Sequence, residues 1–228
     1  MSRMKFEGLL ENEFTLSDKV LRSKNGTDSG VIDVPVENLI LDEENITIFG
    51  DFNQDSIDSL SKDIENDGFK GTILAYPIRK DGDLQFYQIE SGHKRYLAAK
   101  QAGLKKVPVI VTEIPKSDAE RRLRLISMNL HTRETPKPSI LANEAAILLN
   151  SIRELREEEG LSTDMTTLTQ LVAERMERST KAIEKYRQFK KLIPKLQDLA
   201  DEGASWSALV NCSSLSPERQ EMIAFKIR

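Results

Sequence analysis

Cysteine and histidine are nearly absent from the sequence, and this limits the chemistry that it can perform. The single cysteine, Cys212, excludes a disulfide within one chain and a zinc site built from cysteines. The two histidines, His93 and His131, lack the spacing of a metal-binding pair, so we expect no metal site from them. We expect Cys212 to be a small core residue.

Long apolar segments are also absent. The longest runs, such as residues 107–111, are far shorter than the roughly 20 residues needed to cross a bilayer, and acidic residues interrupt the apolar N-terminal stretch, which is not typical of a signal peptide. Eleven glycines and eight prolines are too few for a collagen-like chain, and 39% hydrophobic residues exclude a wholly disordered one. We therefore expect a soluble, intracellular protein of the cytosol.

The two halves of the chain differ in charge, although the formal net charge of the whole is only −4. Residues 1–115 carry 14 basic and 20 acidic side chains, whereas residues 116–228 carry 19 basic and 17 acidic ones. Residues 175–195 hold eight basic side chains and two acidic ones. Such a cluster attracts phosphate groups within a Debye length, but it is also typical of a solvated helix face.

The first half of the chain predicts a small mixed domain of strands and helices. Residues 1–30 are polar and predict a flexible arm, and residues 31–115 alternate short apolar segments with helical patterns. An Asp-Gly pair at Asp81 and Gly82 predicts a hairpin between two of the strands. The predicted strands are 31–35, 73–79, 84–90 and 107–111, and the predicted helices are 55–67 and 94–102.

The second half predicts helices only. Residues 116–160 are interpreted as connecting helices and residues 161–228 as a separate helical domain. Gly and Pro are found only at the boundaries between the predicted helices. Trp206 and Leu209 are expected to lie in its core. The predicted helices are 117–130, 139–159, 167–176, 179–192, 194–202, 205–210 and 217–227.

Residues 170–189 have the layout of a helix-turn-helix. Small Ala173 would let the second helix cross closely, and Ser179 is a good N-cap for that helix. The turn holds Glu177 where many such motifs have glycine. If the second helix enters a major groove, seven residues face the DNA: Arg178, Ser179, Thr180, Lys181, Glu184, Lys185 and Gln188. The spacing is also compatible with an ordinary helical hairpin.

A glycine turn before a basic helix predicts a phosphate site in the first half. Gly92 follows a strand and permits close backbone approach, and the helix after it presents its N-terminal amides with Lys94 and Arg95 beside them. Amide donors, the helix dipole and cationic side chains together favour a phosphate. Strand–glycine–helix junctions also occur in purely structural roles.

At these residues the sequence resembles the ParB family of chromosome and plasmid partition proteins. Residues 91–99 and 102–109 resemble its phosphate-binding arginine motif and the strand that follows. Residues 128–134 resemble its second phosphate motif, Glu-Asn-x-x-Arg, and residues 68–73 stand where the family has its segment beside the nucleobase. Residues 170–189, with 201–206 and 215–218, resemble its central DNA-binding domain.

The resemblance implies an α+β chain in which a ParB/sulfiredoxin-like domain precedes the helix-turn-helix domain. Proteins of this family are dimeric clamps that bind CTP, load on DNA at a palindromic, centromere-like site, and then slide. The resemblance therefore implies CTP and Mg²⁺ as cofactors, and a homodimer. It also implies double-stranded DNA and a ParA-type ATPase as partners, no membrane partner, and a cytoplasmic, nucleoid- or plasmid-associated location.

The resemblance assigns nucleotide binding to seven residues: Thr72, Gly92, His93, Lys94, Arg95, Asn129 and Arg133. Asn129 would also meet Mg²⁺ through the nucleotide. His93 stands where the family often has an acid implicated in CTP hydrolysis, so the sequence leaves CTPase activity open. Lys94 replaces an arginine, and Met128 replaces a glutamate. The family normally continues to a C-terminal dimerisation domain, so we expect a shortened homologue or a truncated chain.

Two other functions remain open. A phosphotransferase with the same fold, similar to free-serine kinases, would need a carboxylate base, for which Glu90 is the nearby candidate. A helix-turn-helix transcription regulator could retain the fold and have lost nucleotide binding. Sulfiredoxin chemistry needs a cysteine beside the glycine turn, where this sequence has none.

Overall fold

The structure, a computed structural model, describes residues 30–130 and 136–227. The chain divides into two compact units, Met1–Lys116 and Ser117–Arg228. The first contains a sheet with helices, and the described part of the second is helical. The predicted α+β organisation is therefore confirmed. The predicted flexible arm, residues 1–30, lies outside the described residues except for Gly30.

The sheet of the first unit has five strands in the order β1-β5-β3-β4-β2. β1 pairs with β5 and β3 with β4 in antiparallel directions, whereas β5–β3 and β4–β2 are parallel. The β3–β4 hairpin turns at Gly82, as the Asp-Gly signal predicted. The strands are β1 (Val31–Pro35), β2 (Leu39–Ile40), β3 (Ile73–Asp81), β4 (Leu84–Ser91) and β5 (Lys106–Val111).

Three helices accompany this sheet: α1 (Glu43–Phe49), α2 (Gln54–Asp67) and α3 (His93–Gln101). α2 begins where Asn53 accepts a hydrogen bond from Ser56 N at 3.0 Å and ends at Gly68. Its buried residues include Ile57 and Ile64, at the helical spacing that the sequence predicted. α1 and β2 were not predicted. The core formed by strands and helices includes Val34, Ile57, Ile64, Ile73, Ala75, Ile89, Tyr96, Ala99, Val107 and Val109.

The second unit is organised around one long helix. α5, of 21 residues, packs against α4, α6, α7 and α8. The two predicted segments 116–160 and 161–228 therefore belong to one compact unit. Its helices are α4 (Asp118–Ser127), α5 (Pro138–Glu158), α6 (Met165–Arg175), α7 (Thr180–Phe189), α8 (Pro194–Asp201), α9 (Trp206–Leu209) and α10 (Pro217–Lys226).

The first turn of α5 is capped from a distance. Its N-cap residue, Lys137, makes no capping hydrogen bond with its side chain. Instead the carboxylate of Asp201, at the end of α8, accepts from Ser139 N at 3.0 Å and from the Ser139 hydroxyl. The amide donors at a helix start need such acceptors, and here a residue 62 positions later supplies them.

Aromatic contacts fix α9 to α7, and polar contacts fix α10 to the segment that follows α7. The Trp206 ring stacks on Tyr186 with centroids 5.5 Å apart and meets Phe189 edge-on, and Leu209 is buried. Buried Gln220 accepts from Ile193 N at 2.9 Å. The predicted core position of Leu209 is confirmed, whereas Trp206 is half-buried and lies at the edge of the core. Within residues 30–130 and 136–227, no helix is long and apolar enough to span a membrane.

Candidate functional site

The glycine turn at the start of α3 leaves no room for a side chain. Gly92 has φ +99, and a Cβ built on it would lie 3.3 Å from Cγ1 and 3.4 Å from Cα of Ile73. A residue other than glycine would meet both the left-handed backbone and this contact. The start of β3 and the start of α3 are therefore pressed against each other, which places Thr72, just before β3, near the turn.

A second contact joins the same two segments. Gly71 has φ +92, and a Cβ built on it would lie only 2.5 Å from Nη1 of Arg95. The guanidinium of Arg95 thus lies directly over the backbone of the loop before β3. The structure brings Thr72, Gly92 and Arg95 together, and Gly71, which sequence reasoning did not single out, joins them.

The start of α3 presents amide donors without a side-chain cap. The first helical hydrogen bond runs from Tyr96 N to Gly92 O at 2.9 Å, and Gly92 provides no capping side chain. The amides of the first turn and the positive end of the helix dipole therefore attract an anion. Lys94 is exposed at this end and Arg95 is half-buried. Donors, dipole and two cations together suit a chain of phosphates.

His93 points into the protein. Its side chain is 4% exposed, Asn45 Nδ2 lies 3.4 Å from its Nδ1, and Phe52 stacks on the ring. Burial lowers the pKa of His93 to about 4, although Asp42 acts in the opposite direction. The imidazole is therefore neutral at physiological pH. The helical spacing to Tyr96, which is also buried, was a signal for this inward position.

Glu90, near the end of β4, is a buried carboxylate. It is 4% exposed, and its Oε2 accepts a hydrogen bond from the Thr112 hydroxyl at 2.5 Å. A general base must reach the proton that it removes. Because Glu90 is buried and its carboxylate accepts a hydrogen bond from Thr112, it is poorly placed to reach a proton on a bound substrate.

The second predicted phosphate motif belongs to the other unit. Asn129 follows α4, and its side-chain amide donates to the carbonyl of Leu125 at 2.7 Å. Arg133 and His131 lie outside the described residues. Among the residues that the structure describes, no three His, Cys, Asp or Glu side chains group as a metal site.

The turn between α6 and α7 contains a residue with a left-handed backbone. Glu177 adopts φ +51, the left-handed conformation for which glycine is usual at this position. Arg178 N donates to Ala173 O at 2.9 Å, and Ser179 accepts from Ala182 N at 3.2 Å. The predicted N-cap at Ser179 is therefore confirmed.

The predicted contact residues lie on the outer side of α7. Arg178, Ser179, Thr180, Lys181, Lys185 and Gln188 are exposed, while Ile183, Tyr186 and Phe189 are buried. Lys185 Nζ lies 5.9 Å from the centroid of the Trp206 ring, close enough for a cation–π interaction. One face of α7 therefore presents donors and positive charge to solvent.

Glu184 is the one acidic residue among the seven predicted contact residues, and it is held in an ion pair. Its two carboxylate oxygens accept from Arg187 Nη1 at 2.7 and 2.9 Å, and Thr169 lies within 3.5 Å. The ion pair offsets the negative charge that Glu184 adds to a basic surface. Sequence reasoning missed Arg187, although the i, i+3 spacing was a signal for this pair.

The chain is similar to proteins of one family. A family model described as ParB N-terminal domain matches residues 22–129. The chain is 34% identical over 91 residues to the chromosome-partitioning protein ParB of Myxococcus xanthus (strain DK1622), and the match covers 40% of this chain and 28% of that protein.

Solved structures resemble the chain as well. A Pnob8-like ParB-N domain aligns with 85% of this chain and 92% of its own at 16% identity, and its TM-score of 0.51 indicates a shared fold. The C-terminally truncated ParB of Caulobacter crescentus aligns in its complex with CTP-gamma-S at 20% identity, over 86% of this chain and 98% of that chain, with a TM-score of 0.39. The same protein in its complex with the centromeric parS site aligns at 22% identity, over 86% of this chain and 99% of that chain, with a TM-score of 0.49.

Proposed function

The chain is a member of the ParB family, and from that premise we propose that it is a CTP-gated, sequence-specific DNA-binding partition protein. In this proposal two copies form a clamp that loads on double-stranded DNA at a palindromic, centromere-like site. A ParA-type ATPase moves the resulting complex, and the clamp acts in the cytoplasm on a nucleoid or a plasmid.

The nucleotide part of the proposal rests on one observation, the Arg95 guanidinium above Gly71 beside the uncapped start of α3. The amides of the first turn would bind phosphate oxygens, Arg95 would bind a phosphate through a charge-assisted pair, and exposed Lys94 would add a point charge. Glycine at 71 and 92 removes the side chains that would block a close approach of the backbone to the ligand. The donor set therefore fits a triphosphate.

Mg²⁺ fits less directly, because hard cations take oxygen ligands and usually reach a protein through substrate phosphates. We propose that the triphosphate supplies most of these ligands and that Asn129 adds its amide oxygen. The amide nitrogen of Asn129 donates to Leu125 O, and this hydrogen bond holds the side chain at the end of α4. Arg133 would complete the phosphate contacts.

The DNA part of the proposal rests on the outer face of α7. Its N-terminal residues would reach base edges in the major groove, and its lysines would contact phosphates. The left-handed turn at Glu177 and the N-cap at Ser179 support this docking geometry.

Neither Glu90 nor His93 suits the chemistry of an enzyme at this site. Glu90 is buried and bonded to Thr112, which disfavours a kinase-like base. His93 is buried under Asn45 and Phe52, so we expect it to contribute to nucleotide binding through the α3 backbone and not through its ring. We expect CTP turnover by the isolated protein to be slow or absent.

Calorimetric titration with CTP, ATP, ADP, GTP and UTP, each with Mg²⁺, tests the proposal. The wild-type protein should bind CTP selectively, and Arg95→Ala should abolish that binding while leaving initial DNA binding largely intact. Arg79→Ala is the matched control, because it removes the same charge from the β3–β4 hairpin, where Arg79 stacks on Phe86 at 4.7 Å.

Each other outcome points elsewhere. Preference for ATP or ADP would contradict the clamp and favour the phosphotransferase. If no nucleotide binds, even with a DNA fragment that the protein recognises, the chain is a helix-turn-helix regulator that has lost the nucleotide.

A further inference from the structure

Gly71 lies against the side chain of Arg95, although it has no functional group of its own. It is exposed and lies one residue before Thr72. Four other glycines of the first unit share its positive φ, but a Cβ built on any of them would meet nothing within 4 Å: Gly50, Gly68, Gly82 and Gly103. At Gly71 the same Cβ would lie 2.5 Å from Arg95 Nη1. Among the glycines that the structure describes, Gly71 alone has a cationic group at the place of its missing side chain.

We propose that Gly71 is a positioning residue for Arg95 in phosphate binding. The inference rests on the proposed nucleotide site and names a residue that acts through another one. The absence of a side chain leaves room for the guanidinium beside the loop backbone, where Nη1 lies 2.5 Å from the place that a Cβ would take. A methyl group at position 71 would occupy that place and displace the guanidinium.

The displacement would cost little stability. The atom that a methyl group would meet is the far end of a long, flexible side chain, which can rotate away. Alanine at 71 therefore adds mainly the backbone cost of a positive φ, and alanine at 68, where φ is +80, also adds such a cost. A structural role predicts equal effects of the two substitutions on every property, whereas a positioning role predicts a difference in phosphate binding alone.

The experiment compares Gly71→Ala with Gly68→Ala in the full chain. Both variants should unfold at similar urea concentrations. Gly71→Ala should bind CTP and inorganic triphosphate about ten- to a hundredfold more weakly than wild type, the factor typical of losing one hydrogen bond to a charged group. Gly68→Ala should bind both like wild type.

A measurement without ligand separates this inference from the proposed function. In the wild-type protein, NMR should show a nuclear Overhauser contact between the Gly71 α-protons and the Arg95 side chain. Gly71→Ala, but not Gly68→Ala, should shift the Arg95 Nε–Hε signal, which is assigned by its loss in Arg95→Lys.

The two failures look different. If the wild-type protein binds neither CTP nor triphosphate, the proposed nucleotide function fails. If it binds them and Gly71→Ala binds equally well, or if the contact is absent from the wild-type spectrum, the positioning role is wrong. An equal loss of binding in Gly68→Ala would also overturn it, because a change in the backbone of the loop, and not displacement of the Arg95 guanidinium, would then explain the loss.

Discussion

The turn before α7 offers a test in which one backbone angle decides whether a substitution raises or lowers the free energy of unfolding. Glu177 adopts φ +51 between two helices. We expect Glu177→Gly to stabilise the helical unit, although glycine usually destabilises a folded chain. The left-handed conformation costs an L-residue roughly 1–2 kcal/mol, and the extra chain entropy of glycine costs roughly 0.5–1 kcal/mol. The difference predicts a gain of about 1 kcal/mol.

Glu177→Ala is the matched control. Both substitutions remove the carboxylate together with whatever it contacts, and only glycine relieves the backbone. The difference in free energy of unfolding between the two variants therefore isolates the cost of φ +51. It should be about 1 kcal/mol in favour of glycine.

The assay can use the only tryptophan of the chain. Trp206 stacks on Tyr186 in the helical unit, so its fluorescence during urea unfolding follows that unit alone. Glycine should move the midpoint to higher urea without changing the m-value. A glycine variant that is no more stable than the alanine variant would refute the reasoning, because the turn would then not hold position 177 in the left-handed region.

Three further predictions concern other sites. Ser179→Ala should lower the stability of the helical unit by about 1 kcal/mol through the lost N-cap, with Thr180→Ala as an exposed control; equal effects of both would contradict it. Burial lowers the pKa of His93 from 6.5 to about 4. Between these two pH values the unfolded chain binds a proton that the folded chain does not. The free energy of unfolding should therefore fall by about 3 kcal/mol when the pH is lowered from 6.5 to 4. His93→Gln, followed by circular dichroism, should show a shallower fall, and an unchanged one would refute the assignment. Lys185→Ala should weaken binding to DNA and reduce the slope of log K against log salt by about 1, and an unchanged slope would contradict a phosphate contact.

Local signals in the sequence predicted the elements that depend on neighbours in the chain. Ser179 caps α7 because its hydroxyl needs only the amide of Ala182, three residues later. The spacing of Ile57 and Ile64 placed α2 for the same reason. Glu177 departs from the glycine that is usual in such a turn, and the backbone there is nevertheless left-handed.

Features set by distant contacts were not predictable in this way. The Arg95 guanidinium lies over Gly71 only because β3 and α3 start side by side. The strand β2 has two residues, which are too few to show the alternation of apolar and polar residues that marks a strand. α1 was missed because it has seven residues, too few for a clear helical pattern. The spacing to Tyr96 was a local signal that His93 points inward, but the residues that cover its ring, Asn45 and Phe52, come from distant parts of the chain. The roles of the site residues in binding stay predictions until nucleotide and DNA are titrated.

The cap that Asp201 supplies to α5 has a consequence for the order of folding. Because the acceptor arrives 62 residues after Ser139, a chain that leaves the ribosome N-terminal end first has made most of α5 before its first turn can be capped. We expect that turn to fray until α8 docks, and to form after the folding transition state. Asp201→Asn should then speed unfolding and leave the folding rate almost unchanged.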